Sequence, residues 1–233
     1  MIPRRIHYCW FGEGARNPLI MKCMESWKRM MTGYEIKEWN ESNSPLDVPY
    51  VRDAYQRKLW SKVSNYVRLS ALYQEGGIYL DTDVEVLRSF DPLLGHRCFL
   101  GFQQEREHSD WVNNAVIGSV AGHQFVEMCM EATLETYAAE KTFHRAPVIT
   151  TGVLRRMGLK KYGRQSVEGV ELYPLEYFYP YPWWGSYRPG CVREVTYCLH
   201  HWDISWKNKG LRSWLSKIKW RLLDPVLLFY SSR

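Results

Sequence analysis

Asp81-Thr82-Asp83 sets two carboxylates two residues apart, directly after the apolar run Ile78-Tyr79-Leu80. Two hard oxygen ligands so spaced can grip one divalent cation such as Mg²⁺ or Mn²⁺. A cation held there can neutralise phosphate oxygens, so the chemistry in view is work on a phosphorylated or nucleotide substrate. Asp83 is the candidate for direct coordination, while Asp81 can reach a ribose hydroxyl or a metal-bound water. His200-His201 is a second pair of possible ligands, since imidazole is acceptable to Mn²⁺. An Asp-x-Asp also occurs on plain solvated turns, so the elements around it matter.

The apolar positions Val63, Val67, Ala71 and Leu72 predict a helix over 61–74, and Gly76-Gly77 supply its left-handed stop. The strand at 78–80 then carries the acids straight to the carboxyl edge of a sheet, where ligands bind in open α/β folds. Upstream, 6–10 reads as a buried strand stopped by Gly12 and Gly14, 18–31 as a helix with Leu19, Cys23, Trp27 and Met31 on one stripe, and 34–39 as a strand. Strand, helix, strand is the opening of a nucleotide-binding α/β sheet. Further strands are expected near 99–102, 115–119 and 195–200, with a helix over 123–139. Beyond Gly152 the pattern loses regularity, and Pro, Tyr and Trp crowd 173–189.

At 233 residues the chain fits one domain with a short appendage. A formal charge of +6 favours polyanionic partners, but no zinc finger, recognition helix or ribonucleoprotein strand is present, so nucleic acid is not an expected partner. The six cysteines show no CxxC spacing, and the segment after Met1 lacks a signal-peptide core. Reduced thiols and a cytoplasmic location are therefore expected.

Ser64-Asn65-Tyr66-Val67-Arg68-Leu69, Leu72-Tyr73 and Gly76-Gly77-Ile78-Tyr79-Leu80-Asp81-Thr82-Asp83-Val84-Glu85 together resemble the signature of the DXD sugar-binding-region glycosyltransferases (glycosyltransferase family 32), relatives of the clostridial glucosylating toxins. Ile6-His7-Tyr8-Cys9-Trp10-Phe11-Gly12 is similar to the family's opening strand, Asn113-Asn114-Ala115-Val116-Ile117-Gly118 to a middle motif, and His200-His201-Trp202 with Ser205-Trp206 to its end. The resemblance implies a GT-A-like single Rossmann-type domain over 1–207, with a mixed central sheet flanked by helices. It also implies a retaining, divalent-metal-dependent hexosyl transfer from a UDP-sugar, of the UDP-galactose or UDP-glucose type, in polysaccharide or glycolipid synthesis. Carried over residue by residue, Trp10 would stack on uracil, Arg68 would contact the donor sugar or phosphate, and Tyr79 would lie at the phosphates. Asp81 would bind ribose and sugar hydroxyls, Asp83 the ion, Ser64 and Asn65 the nucleotide-sugar, and Ser205 and Trp206 would form a lid. Asn113 and Asn114 would lie on the sugar and acceptor side. Asn65 departs from the family's usual Asp and leaves the choice of sugar open.

From Lys207 onward, Leu211, Trp214, Leu215, Ile218 and Leu222 fall on one helical face, with Lys209, Arg212, Lys217, Lys219 and Arg221 around the rest. A basic amphipathic helix over 208–233 fits peripheral attachment to the cytoplasmic face of a membrane, and with it a glycan or lipid-linked acceptor. A terminal helix docked on the domain is the other reading. Two rival functions stay open: a lectin-like domain that binds sugar nucleotides without turnover, and another metal-dependent phosphoryl-transfer enzyme, although Asp91, Asp110 and Asp203 look too scattered to hold a second ion.

Overall fold

The computed structural model describes residues 1–203. Nine strands and five helices follow in the order β1 (Arg5–Cys9), α1 (Pro18–Met30), β2 (Glu35–Trp39), α2 (Pro49–Gln56), α3 (Trp60–Glu75), β3 (Gly77–Leu80), β4 (Val84–Val86), β5 (Cys98–Phe102), β6 (Val112–Ser119), α4 (Gln124–Glu140), α5 (Ala146–Arg156), β7 (Gln165–Val167), β8 (Val170–Tyr173) and β9 (Cys198–His200). Seven strands form one mixed sheet in the order β2-β1-β3-β6-β5-β8-β7, and β4 pairs with β9 in a separate antiparallel ladder. The β2-β1-β3 half is parallel, and β6 joins β3 antiparallel.

Period-two alternation divides the core between the two faces of the sheet. Ile6, Tyr8, Ile78 and Leu80 point to a cluster with Trp27 of α1, Val84, Val86, Phe90 and Tyr197. Cys9 and Tyr79, one position out of phase, point to the other cluster with α2, α3, α4 and α5. Full burial of each large apolar side chain contributes about 1.5–3 kcal/mol, and Trp27 has no exposed surface. Its indole Nε1 also donates to the Val84 carbonyl at 2.7 Å. That bond ties α1 to the arm that leaves the acidic turn.

The sequence-derived elements lie where expected, with two exceptions. α2 is absent from the sequence reading because eight residues span barely two turns within a polar stretch, although Pro49 starts it and Tyr50, Val51 and Ala54 make its buried face. The expected loss of pattern after Gly152 is corrected: α5 runs through that glycine to Arg156, carried by the burial of Thr151, Val153 and Leu154, and the β7–β8 hairpin follows. Among the described residues no helix is long and apolar enough to cross a membrane. The amphipathic segment 208–233 lies outside the described residues.

The turn that aims β3 at the site depends on Gly76 and Gly77, at φ +63° and +111°. A Cβ on Gly77 would lie 2.7 Å from the Arg5 carbonyl oxygen, so only glycine lets β3 start this close to β1. His7 locks the same corner. Trp39 Nε1 donates to its Nδ1 at 2.9 Å, which leaves Nε2 as the N–H that donates to the Gly76 carbonyl at 2.7 Å. Burial disfavours the imidazolium and lowers the His7 pKa. The unfolded chain therefore takes up this proton more readily than the folded one, and stability falls as pH drops below the ordinary histidine value of about 6.5. We expect the melting midpoint to fall between pH 7 and pH 5, and less steeply in His7→Gln, whose amide keeps a donor and an acceptor but cannot be charged. Parallel pH profiles by thermal denaturation would refute this account.

Candidate active site

The acid turn sits where β3 leaves the sheet. Asp81 N donates to the Ala115 carbonyl at 2.8 Å, and Val84 N closes the turn on the Asp81 carbonyl at 3.0 Å. Behind the turn the β4–β9 ladder pairs Val84 with His200, which delivers the imidazole to the carboxylates. Asp81, Asp83 and His200 thus each offer a ligand atom within 4.8 Å of one another.

Each side chain is held by named partners. Tyr79 Oη donates to Asp81 Oδ1 at 2.9 Å, and Arg68 Nη2 lies 3.0 Å from the same oxygen, so Asp81 Oδ2 has no partner among the described residues. Arg68 also donates to the carbonyls of Ser64 at 3.1 Å and Asn114 at 2.8 Å, and its guanidinium lies 4.4 Å from the Tyr79 ring centre. Asp83 accepts the Asp203 amide on Oδ2 at 2.7 Å, while Oδ1 faces His200 Nε2 at 3.3 Å. His200 Nδ1 is buried with no hydrogen bond, and the ring packs on Trp202 at 4.1 Å between centroids. Two carboxylates and one imidazole converging in this way, one of them with an open oxygen, fit a divalent cation with mixed oxygen and nitrogen ligands.

Burial and charge pull against each other here. Burial alone would raise Asp83, but the His200 charge, its hydrogen bond and the Asp203 amide hold it below the usual carboxylate range. Burial likewise works against the His200 imidazolium, and Asp83 with Asp81 outweighs it and raises the pKa. Burial opposes the Arg68 charge too, yet Asp81 keeps it firmly cationic. Burial pushes the neighbouring Cys9 thiol up to about 12, so it is a packing group and not a nucleophile.

Other sequence-derived residues fall around this centre. Ser64 donates to the Trp60 carbonyl at 3.0 Å, inside its own helix. Asn65 lies close enough to the Tyr50 hydroxyl to lower its pKa against the larger effect of burial. Half-buried Trp10 sits at the end of β1 with the Arg16 guanidinium 5.3 Å from its ring. Asn113 bridges Gln103 and the Ala115 amide, and Asn114 Nδ2 donates to Thr150 while its Oδ1 is buried without a partner. His201 turns from the three-residue cluster to Glu85 Oε2 at 2.8 Å, which Lys22 also holds at 2.8 Å. Ser205 and Trp206 lie outside the described residues.

Asp203 joins the site in a role the sequence reading did not assign: its amide caps Asp83, while its carboxylate supplies no second-ion ligand and its Oδ2 accepts from Asn17 Nδ2 at 2.8 Å. Asn17 also caps α1 through Ile20 N at 2.9 Å. Its place directly after His200-His201-Trp202 was the available signal.

The fold is that of the GT-A glycosyltransferases. The chain superposes on the PaToxG glycosyltransferase with a TM-score of 0.54 at 16% identity, covering 66% of this chain and 69% of that one. On the galactosyltransferase LgtC, solved with donor and acceptor sugar analogues, the TM-score is 0.52 at 13% identity over 91% of this chain and 94% of that one. Residues 18–100 match the glycosyltransferase sugar-binding region containing the DXD motif, and residues 118–213 match the alpha 1,4-glycosyltransferase conserved region. Together the two matches and the fold support placing the chain with the DXD glycosyltransferases.

Its relatives include the lactosylceramide 4-alpha-galactosyltransferase of Pan troglodytes, 28% identical over 70% of this chain and 46% of that protein. The human alpha-1,4-N-acetylglucosaminyltransferase is 29% identical over 65% and 45%. The inositol phosphoceramide mannosyltransferase 3 of Schizosaccharomyces pombe is 29% identical over 87% and 60%. The chain spans about half the length of the first two.

Proposed function

We propose that the chain is a retaining glycosyltransferase that moves a hexose from a UDP-sugar, of the UDP-galactose or UDP-glucose type, to a glycan or lipid-linked acceptor. The observation that carries this reading is the convergence of Asp81, Asp83 and His200 beside a buried arginine at the carboxyl edge of the sheet. These three would hold Mn²⁺ or Mg²⁺, which when bound supplies charge for the departing diphosphate. Arg68 adds a fixed positive charge that needs no reorganisation, because two backbone carbonyls and Asp81 already orient it. Tyr79 holds Asp81 Oδ1, and Oδ2 is left without a partner among the described residues.

Among the described residues no carboxylate stands free as a nucleophile beside the turn, since Glu85 is bound by Lys22 and His201. A front-face substitution follows. The bond from the anomeric carbon to the phosphate oxygen breaks as the acceptor oxygen bonds to the same face, and the acceptor's proton passes to the leaving phosphate oxygen. The alpha linkage in the names of two relatives supports retention, and lactosylceramide and inositol phosphoceramide in two names support a lipid-linked acceptor.

Incubation with Mn²⁺ and a panel of UDP-sugars, with UDP release as the readout, tests the proposal. Release with one or two sugars, removed by EDTA and restored by Mn²⁺, is the expected result. Binding without release across the panel would favour a lectin-like domain and overturn it.

A further inference from the structure

A cleft of about 400 Å³ opens at the other end of the β4–β9 ladder from Asp83, beside Arg88, His96, Arg164, Tyr173, Tyr177 and Tyr197. Its size lies within the range of small-ligand sites. The ladder separates it from the acid turn, because Val84 pairs with His200 at one end and Leu87 N reaches the Tyr197 carbonyl at the other, about 10 Å away at strand spacing.

The cleft is built around two guanidinium groups. Arg88 lies over the buried Tyr197 ring at 4.7 Å, and Arg164 lies over the buried Tyr173 ring at 4.5 Å. Tyr177 closes the floor between them, stacked on Tyr197 with ring centres 6.3 Å apart and tilted against Tyr173 at 4.8 Å. The rings keep both cations flat and reduce the entropy each would lose on binding. No carboxylate lies within ion-pair distance of either arginine among the described residues, whereas Arg5, Arg16, Arg68, Arg145 and Arg155 are all paired.

A hydrogen-bond relay completes the wall. Arg164 Nη2 donates to the Tyr173 hydroxyl at 3.2 Å, and that hydroxyl is 2.7 Å from His96 Nε2. With the hydroxyl accepting from Arg164 and donating to Nε2, the neutral imidazole carries its proton on Nδ1, a donor with no partner among the described residues. The cleft thus offers two guanidinium groups, Arg88 with Nη1 on the Glu194 carbonyl and Arg164 with Nη2 on the Tyr173 hydroxyl, whose remaining N–H donors meet no carboxylate in ion-pair contact among the described residues.

We propose that this cleft is a second saccharide site, one that takes a sugar carrying a carboxylate of the uronic-acid type. A planar carboxylate matches the guanidinium fork bidentately, and ring hydroxyls can meet the Tyr177 hydroxyl and His96 Nδ1. That the anion is carried on a sugar rests on the transferase reading above. The chain beyond residue 203 has a single acid, Asp224, among many lysines and arginines, and so lacks the complementary charge.

The test is a titration of the full chain without donor, using sodium glucuronate, glucose and inorganic phosphate as probes and NMR chemical shifts as the readout. Glucuronate should bind, glucose should bind at least tenfold more weakly, and phosphate should compete with glucuronate. Arg88→Met and Arg164→Met should each weaken glucuronate binding about tenfold, and a melting curve checks that each variant folds. Should a methionine variant unfold, the Arg88→Lys, Arg164→Lys double variant keeps charge but loses the forks, and must still weaken binding. Equal binding of glucose and glucuronate, binding of phosphate without glucuronate, no binding at all, or unchanged binding in the variants would each overturn the proposal. With no donor present, the outcome is independent of the UDP-release assay, and failure of one reading is distinguishable from failure of the other.

Discussion

Asp83→Ala is expected to lower Mn²⁺-dependent UDP release by about 10²–10³-fold or more, the loss typical when a fixed charge-stabilising group leaves an active site. The size follows from how fully this carboxylate is used. Both of its oxygens are engaged and only 8% of the residue is exposed. Alanine leaves the Asp203 amide without its acceptor, at about 1–3 kcal/mol of stability, and strips the buried His200 of the charge that raises its pKa. Asp83→Asn separates the two effects, because its amide oxygen still accepts from Asp203 N while the charge is gone. Asn should therefore recover most of the lost stability and little of the activity. Mn²⁺ gives an independent readout: a ligand that binds only the folded state raises the melting midpoint with concentration. Wild-type protein should show that rise, and both variants should lose most of it. An Asp83→Asn protein with an undiminished Mn²⁺ shift and wild-type UDP release would sink the metal reading.

The sheet half that carries the site was legible because its signals are local. Gly76-Gly77 ends α3 and starts β3, the run 78–80 is apolar, and Asp81 and Asp83 follow at once. The imidazole pair was legible as chemistry but not as geometry. His200 joins the carboxylates and His201 pairs with Glu85 because strand β9 pairs with β4 over a separation of more than 110 residues, and no local pattern encodes that register. The role of Asp203 was not legible for the same reason, since it lies in a backbone amide, which every residue but proline carries. α2 and α5 escaped notice because short helices owe their stability to tertiary packing more than to propensity: Tyr50 meets Tyr137 and Phe143 edge-on, and Thr150 and Thr151 bond Asn114 and Val112 of β6. The cleft at Arg88 and Arg164 was invisible because its cations come from segments 76 residues apart, joined only by the tyrosines beneath them.

Arg68→Met should cost the fold about 2–4 kcal/mol, which for a chain of this size lowers the melting midpoint by roughly 5–15 °C. Methionine replaces the stem but leaves three acceptors wanting: the carbonyls of Ser64 and Asn114, and Asp81 Oδ1. The Asp81 side chain is 27% exposed and can recover water, so its share is discounted, and the buried Asn114 carbonyl at the start of β6 bears most of the loss. Tyr79 loses the cation over its ring, and without Arg68 the Oδ1 of Asp81 is held by the Tyr79 hydroxyl alone. UDP release should fall about 10²-fold, beyond what partial unfolding accounts for, when both are measured well below the variant's midpoint. Arg68→Lys is the informative companion. Its single ammonium keeps the charge near Asp81 but cannot span three acceptors at once, so it should regain more of the activity than of the stability. A methionine variant within 1 kcal/mol of wild type by chemical denaturation would mean that these hydrogen bonds are replaced by water, and that Arg68 serves the site without holding the sheet edge together.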